Sequence, residues 1–317
     1  MNEPLPLVSK LAKRNYLRKY GMLTAFLLIC LVLSLLTPGF FSIQNTTIIL
    51  RQVSINGILA IGVTFVIISG GIDLSLGSVV AFTGVVAALF AHPGEYPLII
   101  ALGMAILAGL AIGGVNGLAV TRGKVAPFIV TLGMMTIARG LALLASDGRP
   151  VTGLSDSFNY IGGGSVLGVP IPVLIFGAII LLSSFILNKT RLGRYLYAVG
   201  GNEKAAYASG IRVNSVKVLS YMICSGLAAI AGIVLASRIT TGQPNAGLAY
   251  ELDAIAAVVI GGTSLSGGIG SIGGTVLGVL LIGVINNGLD LLNVSSYYQQ
   301  IIKGAIIIAA ALIDRKK

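Results

Sequence analysis

Apolar stretches close to membrane-crossing length follow one another through almost the whole chain, separated only by short groups of glycine, proline and charged residues. A helix needs about 20 apolar residues to cross a hydrocarbon layer of about 30 Å. Stretches at 22–41, 48–68, 79–91, 98–119, 126–146, 171–187, 216–237, 251–264, 271–289 and 297–313 predict about ten such segments in the 317 residues. With 56% apolar residues, 10% charged residues and a mean hydropathy of +0.97, the chain exceeds what a soluble domain of this size can hide. The 43 glycines fit, because small residues let membrane helices approach closely. The expected fold is all-α: a polytopic transmembrane helical bundle in one membrane-embedded domain spanning 1–317. The stretches 79–91 and 251–264 are short for a crossing and predict broken or re-entrant helices. Such irregular backbone must pack inside the bundle, away from lipid.

Charge fixes the expected orientation. The net charge of +11 is not spread as a phosphate-binding face, so nucleic acid is not an expected partner. With the N-terminus inside, the inner segments 1–20, 69–78, 120–125, 188–217, 265–270 and 314–317 hold 16 of the 21 basic residues. The outer loops hold two, Arg149 and Arg238. Positive residues favour the cytoplasmic side, which predicts a multi-pass inner-membrane protein with both termini and the loop 188–215 in the cytoplasm. The basic residues before Met22–Leu36 could mark a secretory signal, but the run ends in Thr37-Pro38-Gly39 without a small-x-small site, favouring an uncleaved first span. Cys30 and Cys224 lie in apolar runs without metal or redox spacing and read as small buried residues.

Polar residues inside apolar segments are candidates for a solute path. Asn56, Thr64, Asn116, Asn286 and Asn287 lie on or near glycine-rich spans. For any single one of them, hydrogen bonding between helices is the preferred reading. Asp73, in Gly-Gly-Ile-Asp-Leu-Ser, is another candidate, although its place at a span end favours capping with Ser75 and Ser78. Glu251 and Asp253 suit the positive end of the helix they open. Arg139 sits inside its span and needs a partner or a wet cavity, whereas Arg51 and Lys303 are placed to snorkel. The lone His92 is in an outer turn and reads as solvated. The sequence offers no nucleophile–base arrangement or metal-ligand set, so neither catalytic nor metal residues are assigned. A faint internal echo links 68–77 with 260–268, and Val115-Asn116-Gly117-Leu118 with Asn286-Asn287-Gly288-Leu289, suggesting an inverted repeat.

The inner loop carries the densest local signal. Asn202 is a good N-cap, Glu203 suits the first turn, and Gly210 is a natural stop, predicting a short alanine-rich helix between them. Too short to be stable alone, it would dock through Ala205, Ala206 and Ala208, or else serve only as a basic topology signal. The run Arg191-Leu192-Gly193-Arg194, followed by Ala198-x-Gly-x-Asn202-x-x-Ala205-Ala206-x-x-x-Gly210-Ile211, resembles the coupling segment of bacterial sugar importer permeases, closest to the ribose permease group. Supporting stretches are Ser69–Ser75, Tyr250–Val258, Gly261–Leu265 and Asn286–Leu289. The resemblance implies a homodimeric, lipid-embedded permease working with a cytoplasmic ATPase and a periplasmic or lipid-anchored sugar-binding protein. It further implies that Arg191, Gly193, Asn202, Glu203, Ala205, Ala206 and Gly210 belong to the ATPase-coupling segment. No G-x-x-x-x-G-K-[ST] occurs, so no cofactor is expected in this chain, and ATP and Mg would sit on the partner ATPase. An ion-coupled secondary transporter of a small polar solute is the alternative. It would carry paired ionisable groups near mid-membrane.

Overall fold

The computed structural model describes the backbone of residues 6–315 and the side chains of 21–295, 297–305 and 308. Helices occupy all ten apolar stretches: α1 (Pro6–Leu36), α2 (Ile43–Ile68), α3 (Leu76–Leu89), α4 (Leu98–Thr121), α5 (Pro127–Ala145), α7 (Ile171–Lys189), α10 (Val213–Arg238), α11 (Tyr250–Ile260), α12 (Ile272–Leu291) and α13 (Ser296–Arg315). Among the described residues, six of them (α2, α4, α5, α7, α10 and α12) are long and apolar enough to cross a membrane. The basic side chains of 1–20 and 314–317, counted above for orientation, lie outside the described residues.

Three short helices fill the loops. α6 (Asp156–Gly163) lies in the outer loop, and α8 (Arg191–Gly201) and α9 (Glu203–Ala208) lie in the inner one. The expected all-α fold also gains a two-residue hairpin, β1 (Ser165–Val166) with β2 (Val169–Pro170). Its turn places both Leu167 and Gly168 at positive φ, the geometry that matches the natural strand twist.

At the centre of the bundle, α10 packs against α2, α3 and α4. Small residues make this possible. Gly109, Gly113 and Gly117 on α4 face Ser225–Ala229, Tyr221–Met222 and Val218 on α10, leaving no room for a Cβ. In lipid such contact replaces the hydrophobic driving force that water would supply. α2 is buried almost continuously from Val53 to Ile68, so it presents apolar residues on every side.

The two short helices explain how the bundle is broken. α3 has 14 residues and α11 has 11. At 1.5 Å per residue they reach only about 21 and 16 Å, well short of a bilayer core. After α10 the chain pairs Gly242 with Val151, then runs down beside α3 from Gly84–Ala88 to Gly77. Gly247, at φ +69, packs its carbonyl where a Cβ on Gly77 would stand, and α11 starts three residues later. The N-termini of α3 and α11 therefore meet within the bundle.

At the end that carries α8 and α9, Gly268 N–H donates to Ile68 O at 2.9 Å, and Gly267 packs against Gly70. The first pair of echoing segments thus lies side by side at one end, with α2 and α11 running the same way. An inverted repeat would set them at opposite ends, so inversion is not what relates these two segments. Both are glycine-rich for a common local reason, the close approach of three backbones.

Candidate coupling segment and solute site

Asn202 ends α8 and begins α9, and its Oδ1 accepts from Ala205 N–H at 3.0 Å. At the other end, Gly210 lies at φ +82, Gly210 N–H donates to Tyr207 O, and Ile211 N–H donates to Ala206 O. This paired motif satisfies the last carbonyls and makes glycine the natural residue there. Glu203 stands in the first turn of α9 and pairs with Lys217 of α10 at 2.6 Å.

The face expected to dock is rotated. Ala206 is buried against its own chain, whereas Ala205, Ala208 and Tyr207 are exposed, Tyr207 by 76%. With i and i+3 neighbours sharing a face, a six-residue helix cannot present 205, 206 and 208 together. Tyr207 is the prominent side chain that the alanine pattern concealed.

α8 was not expected, yet its signals are ordinary. The Thr190 hydroxyl accepts from Gly193 N–H at 3.3 Å as an N-cap, and Gly193, Leu196 and Val199 form one buried stripe. Gly193 packs on the Leu187 carbonyl, while Arg191 and Arg194 are exposed. At the far end of α8, Gly200 packs on the Ile68 carbonyl and beside Gly267 and Gly268, while Gly201 meets Gly268. Tyr197 donates to Gly270 O at 2.8 Å, and burial raises its phenol above the ordinary value, keeping it a neutral donor. The α8–α9 unit is therefore clamped to both helix breaks, the one after α2 and the one after α11. Arg191, Arg194 and Lys204 lie on the unit, Lys189 and Arg212 flank it in the chain, and Lys217 pairs with Glu203, while Arg122 and Lys124 follow the end of α4 that packs on Val218 of α10.

The polar path candidates do not converge on one surface. Thr64 bonds Thr275 at 2.8 Å, joining α2 to α12. Asn287 exchanges two hydrogen bonds with Asn45, at 2.8 and 3.0 Å. Asn116 donates to the Ser75 hydroxyl at 3.1 Å. Asn286 is buried with neither amide atom paired, and Asn56 is buried on α2. Asp73 is fully buried, and its Oδ1 accepts from both Ser75 N–H (2.9 Å) and Ser75 Oγ (2.6 Å). This local turn launches α3 after the break.

The cations are also placed. Lys303 does not snorkel; it forms an ion pair with Asp253 at 2.9 Å, tying α13 to α11. Arg51 donates to Gly163 O, at the end of α6 in the outer loop, at 3.1 Å. His92 lies 3.3 Å from Gly153 O. Arg139 Nη1 donates to Pro244 O and Ala246 O at 2.5 and 2.9 Å, so the loop before α11 hangs on this side chain. Arg139, Glu251, Ser78 and Thr136 line a cavity of about 400 Å³ with Met135, Leu143 and Leu248. None of its four polar residues was singled out as path-lining from sequence.

Among the described residues, a bundle with six helices long and apolar enough to cross a membrane, two broken segments and a surface unit clamped to both breaks defines a polytopic membrane protein. The chain belongs to the family described as branched-chain amino acid transport system / permease component, which it matches over residues 45–311. It is 49% identical over 308 residues to the ribose import permease protein RbsC of Escherichia coli (strain K12), covering 96% of each chain. It is 48% identical over 303 residues to RbsC of Bacillus subtilis (strain 168), covering 95% of this chain and 94% of that one. The D-allose transport system permease protein AlsC of Escherichia coli (strain K12) is 39% identical over 298 residues, covering 94% and 91%. No solved structure matches the chain.

Proposed function

We propose that this chain is the permease subunit of an ATP-driven importer that carries a monosaccharide, ribose, from an external binding protein to the cytoplasm. The observation that carries this reading is the near-full-length similarity to ribose import permeases. The resemblance of the α8–α9 segment to ATPase-coupling elements agrees with it. In this reading two copies form the pathway, and ten segments, the two short ones included, lie in the inner-membrane bilayer. The α8–α9 end faces the cytoplasm, as do both termini, because the chain segments that lead to and from that end carry eight basic residues. A separate ATPase holds ATP and Mg and grips the exposed Tyr207 face of α9.

The mechanism follows from the clamp. Movement of α9 with the ATPase displaces α8, and Gly200 and Gly201 pass that displacement to the breaks at Gly70 and at Gly267–Gly268. Close-packed backbones cannot absorb it, so the short helices beyond the breaks shift as units.

The test is reconstitution of the chain in proteoliposomes with and without its ATPase and binding protein. Uptake of labelled ribose that needs all three components and ATP is expected. Uptake by the chain alone, driven by an ion gradient, would establish the ion-coupled alternative.

A further inference from the structure

We propose that the cavity between α3, α5 and α11 is a transit site where a neutral polyhydroxylated solute pauses, held by Arg139, Glu251, Ser78 and Thr136. The inference rests on the permease reading above and adds a location and a chemistry to it.

Four observations converge. The cavity, about 400 Å³, falls within the range of small-molecule sites. It sits where the N-termini of α3 and α11 meet, away from the bundle's ends; Arg139 is the thirteenth of the 19 residues of α5. Half-helix N-termini that converge inside a bundle are a recurring way of building a membrane binding site. An arginine and a glutamate there are costly unless the space is wet or occupied.

Arg139 and Glu251 both border the cavity, yet among the described residues they do not close into an ion pair. Arg139 directs Nη1 to two carbonyls, which fixes the guanidinium plane, and among the described residues its Nη2 and Nε make no hydrogen bond. Glu251 lies against the Gly77 backbone at the start of α3. The cavity thus offers donors and an acceptor that do not pair with each other, with the Ser78 and Thr136 hydroxyls in the same lining. A sugar hydroxyl both donates and accepts, so one vicinal pair can satisfy both charges without bringing a charge of its own. Met135, Leu143 and Leu248 supply the apolar wall for the ring's carbon face. Few contacts and no enclosure keep the hold weak, as a pathway requires.

The experiment uses the full assembly in proteoliposomes with ATP and ribose-loaded binding protein. Leu143→Trp, which fills the cavity, and Glu251→Gln, which removes the charged acceptor, are each expected to raise the ATP hydrolysed per ribose delivered at least fivefold. An unchanged ratio in both variants overturns the proposal, whether the two rates are normal or fall together. Thr136→Cys in a Cys30→Ser background reads the site directly. Alkylation by a small maleimide is expected to slow at least threefold during ribose turnover, and no protection overturns the proposal. Leucine, whose zwitterion could also bridge Arg139 and Glu251, is the control cargo. Protection by leucine but not ribose overturns the cargo class. Failure of the wild-type assembly to import ribose would instead remove the functional reading beneath it.

Discussion

The two glycine-rich meeting points of this bundle differ in what surrounds them. At the α8–α9 end, Gly70, Gly200, Gly201, Gly267 and Gly268 bring three backbones together with no space for a side chain. At the meeting of α3 and α11, Gly77 and Gly247 are as tightly opposed, but about 400 Å³ opens beside them, lined by charge. On the reading proposed above, the first transmits displacement and the second holds a solute while displacement occurs. A packed contact moves its neighbours as a body, whereas an open one changes shape.

The sharpest way to break that distinction is Gly200→Ala. Its Cβ would collide with the Ile68 carbonyl and the Gly268 amide, both backbone atoms that cannot swing aside. Overpacking of this kind costs roughly 1–3 kcal/mol. The expected outcome is loss of more than nine-tenths of ribose uptake with loss of the ATPase response to loaded binding protein. Thr136→Ala, in the cavity, should leave thermal stability within a degree or two in detergent. The chain has no tryptophan, so far-ultraviolet circular dichroism is the suitable readout. Equal stability losses in the two variants would erase the contrast.

Asp73→Ala comes next, at the launch of α3. The change removes the acceptor for Ser75 N–H and Oγ in a fully buried turn. Leaving buried donors unpaired costs about 1–3 kcal/mol. A lower unfolding midpoint is expected, with Asp73→Asn partly rescuing it because its amide oxygen can still accept. Full activity with unaltered stability in Asp73→Ala would separate this turn from the coupling path.

Helix positions were legible in the sequence because the ten apolar runs are long and their breakers strong. The cap at Asn202 and the stop at Gly210 were also legible, being local chemistry. The cavity was not. Ser78, Thr136, Arg139 and Glu251 come from three helices far apart in sequence, and the packing of α3 on α5 together with the dive of residues 242–249 beside α3 brings them together. Nothing in that stretch's composition separates a re-entrant loop from an outer one. The burial of Ala206 was hidden for a different reason, since three alanines within four residues look alike until the helix is docked. Asn116 and Asn287 looked like path residues because polarity in a span is the same signal for a pore and for a helix-to-helix bond.

Asn287→Ala tests which of those two roles dominates. It removes a reciprocal pair that joins α12 to the start of α2, far along the chain from either glycine meeting point. Interhelical bonds of this sort contribute about 0.6–2 kcal/mol. A modest fall in midpoint with uptake kept above half is expected. Severe loss of uptake at unchanged stability would move Asn287 into the pathway.

Glu203→Gln should have the smallest effect and locates the edge of the tight region. The Lys217–Glu203 pair is short at 2.6 Å, but the Glu203 side chain is 55% exposed. Pairs this open contribute about 0–1 kcal/mol and are screened by salt. Their loss should be undetectable in the unfolding midpoint at physiological ionic strength. The carboxylate also favours the positive end of α9, so the variant should fray that helix slightly and weaken ATPase capture by no more than a few-fold. A loss as large as that of Gly200→Ala would mean that α9 is held to the bundle by charge at its rim, and that the glycine contacts merely follow.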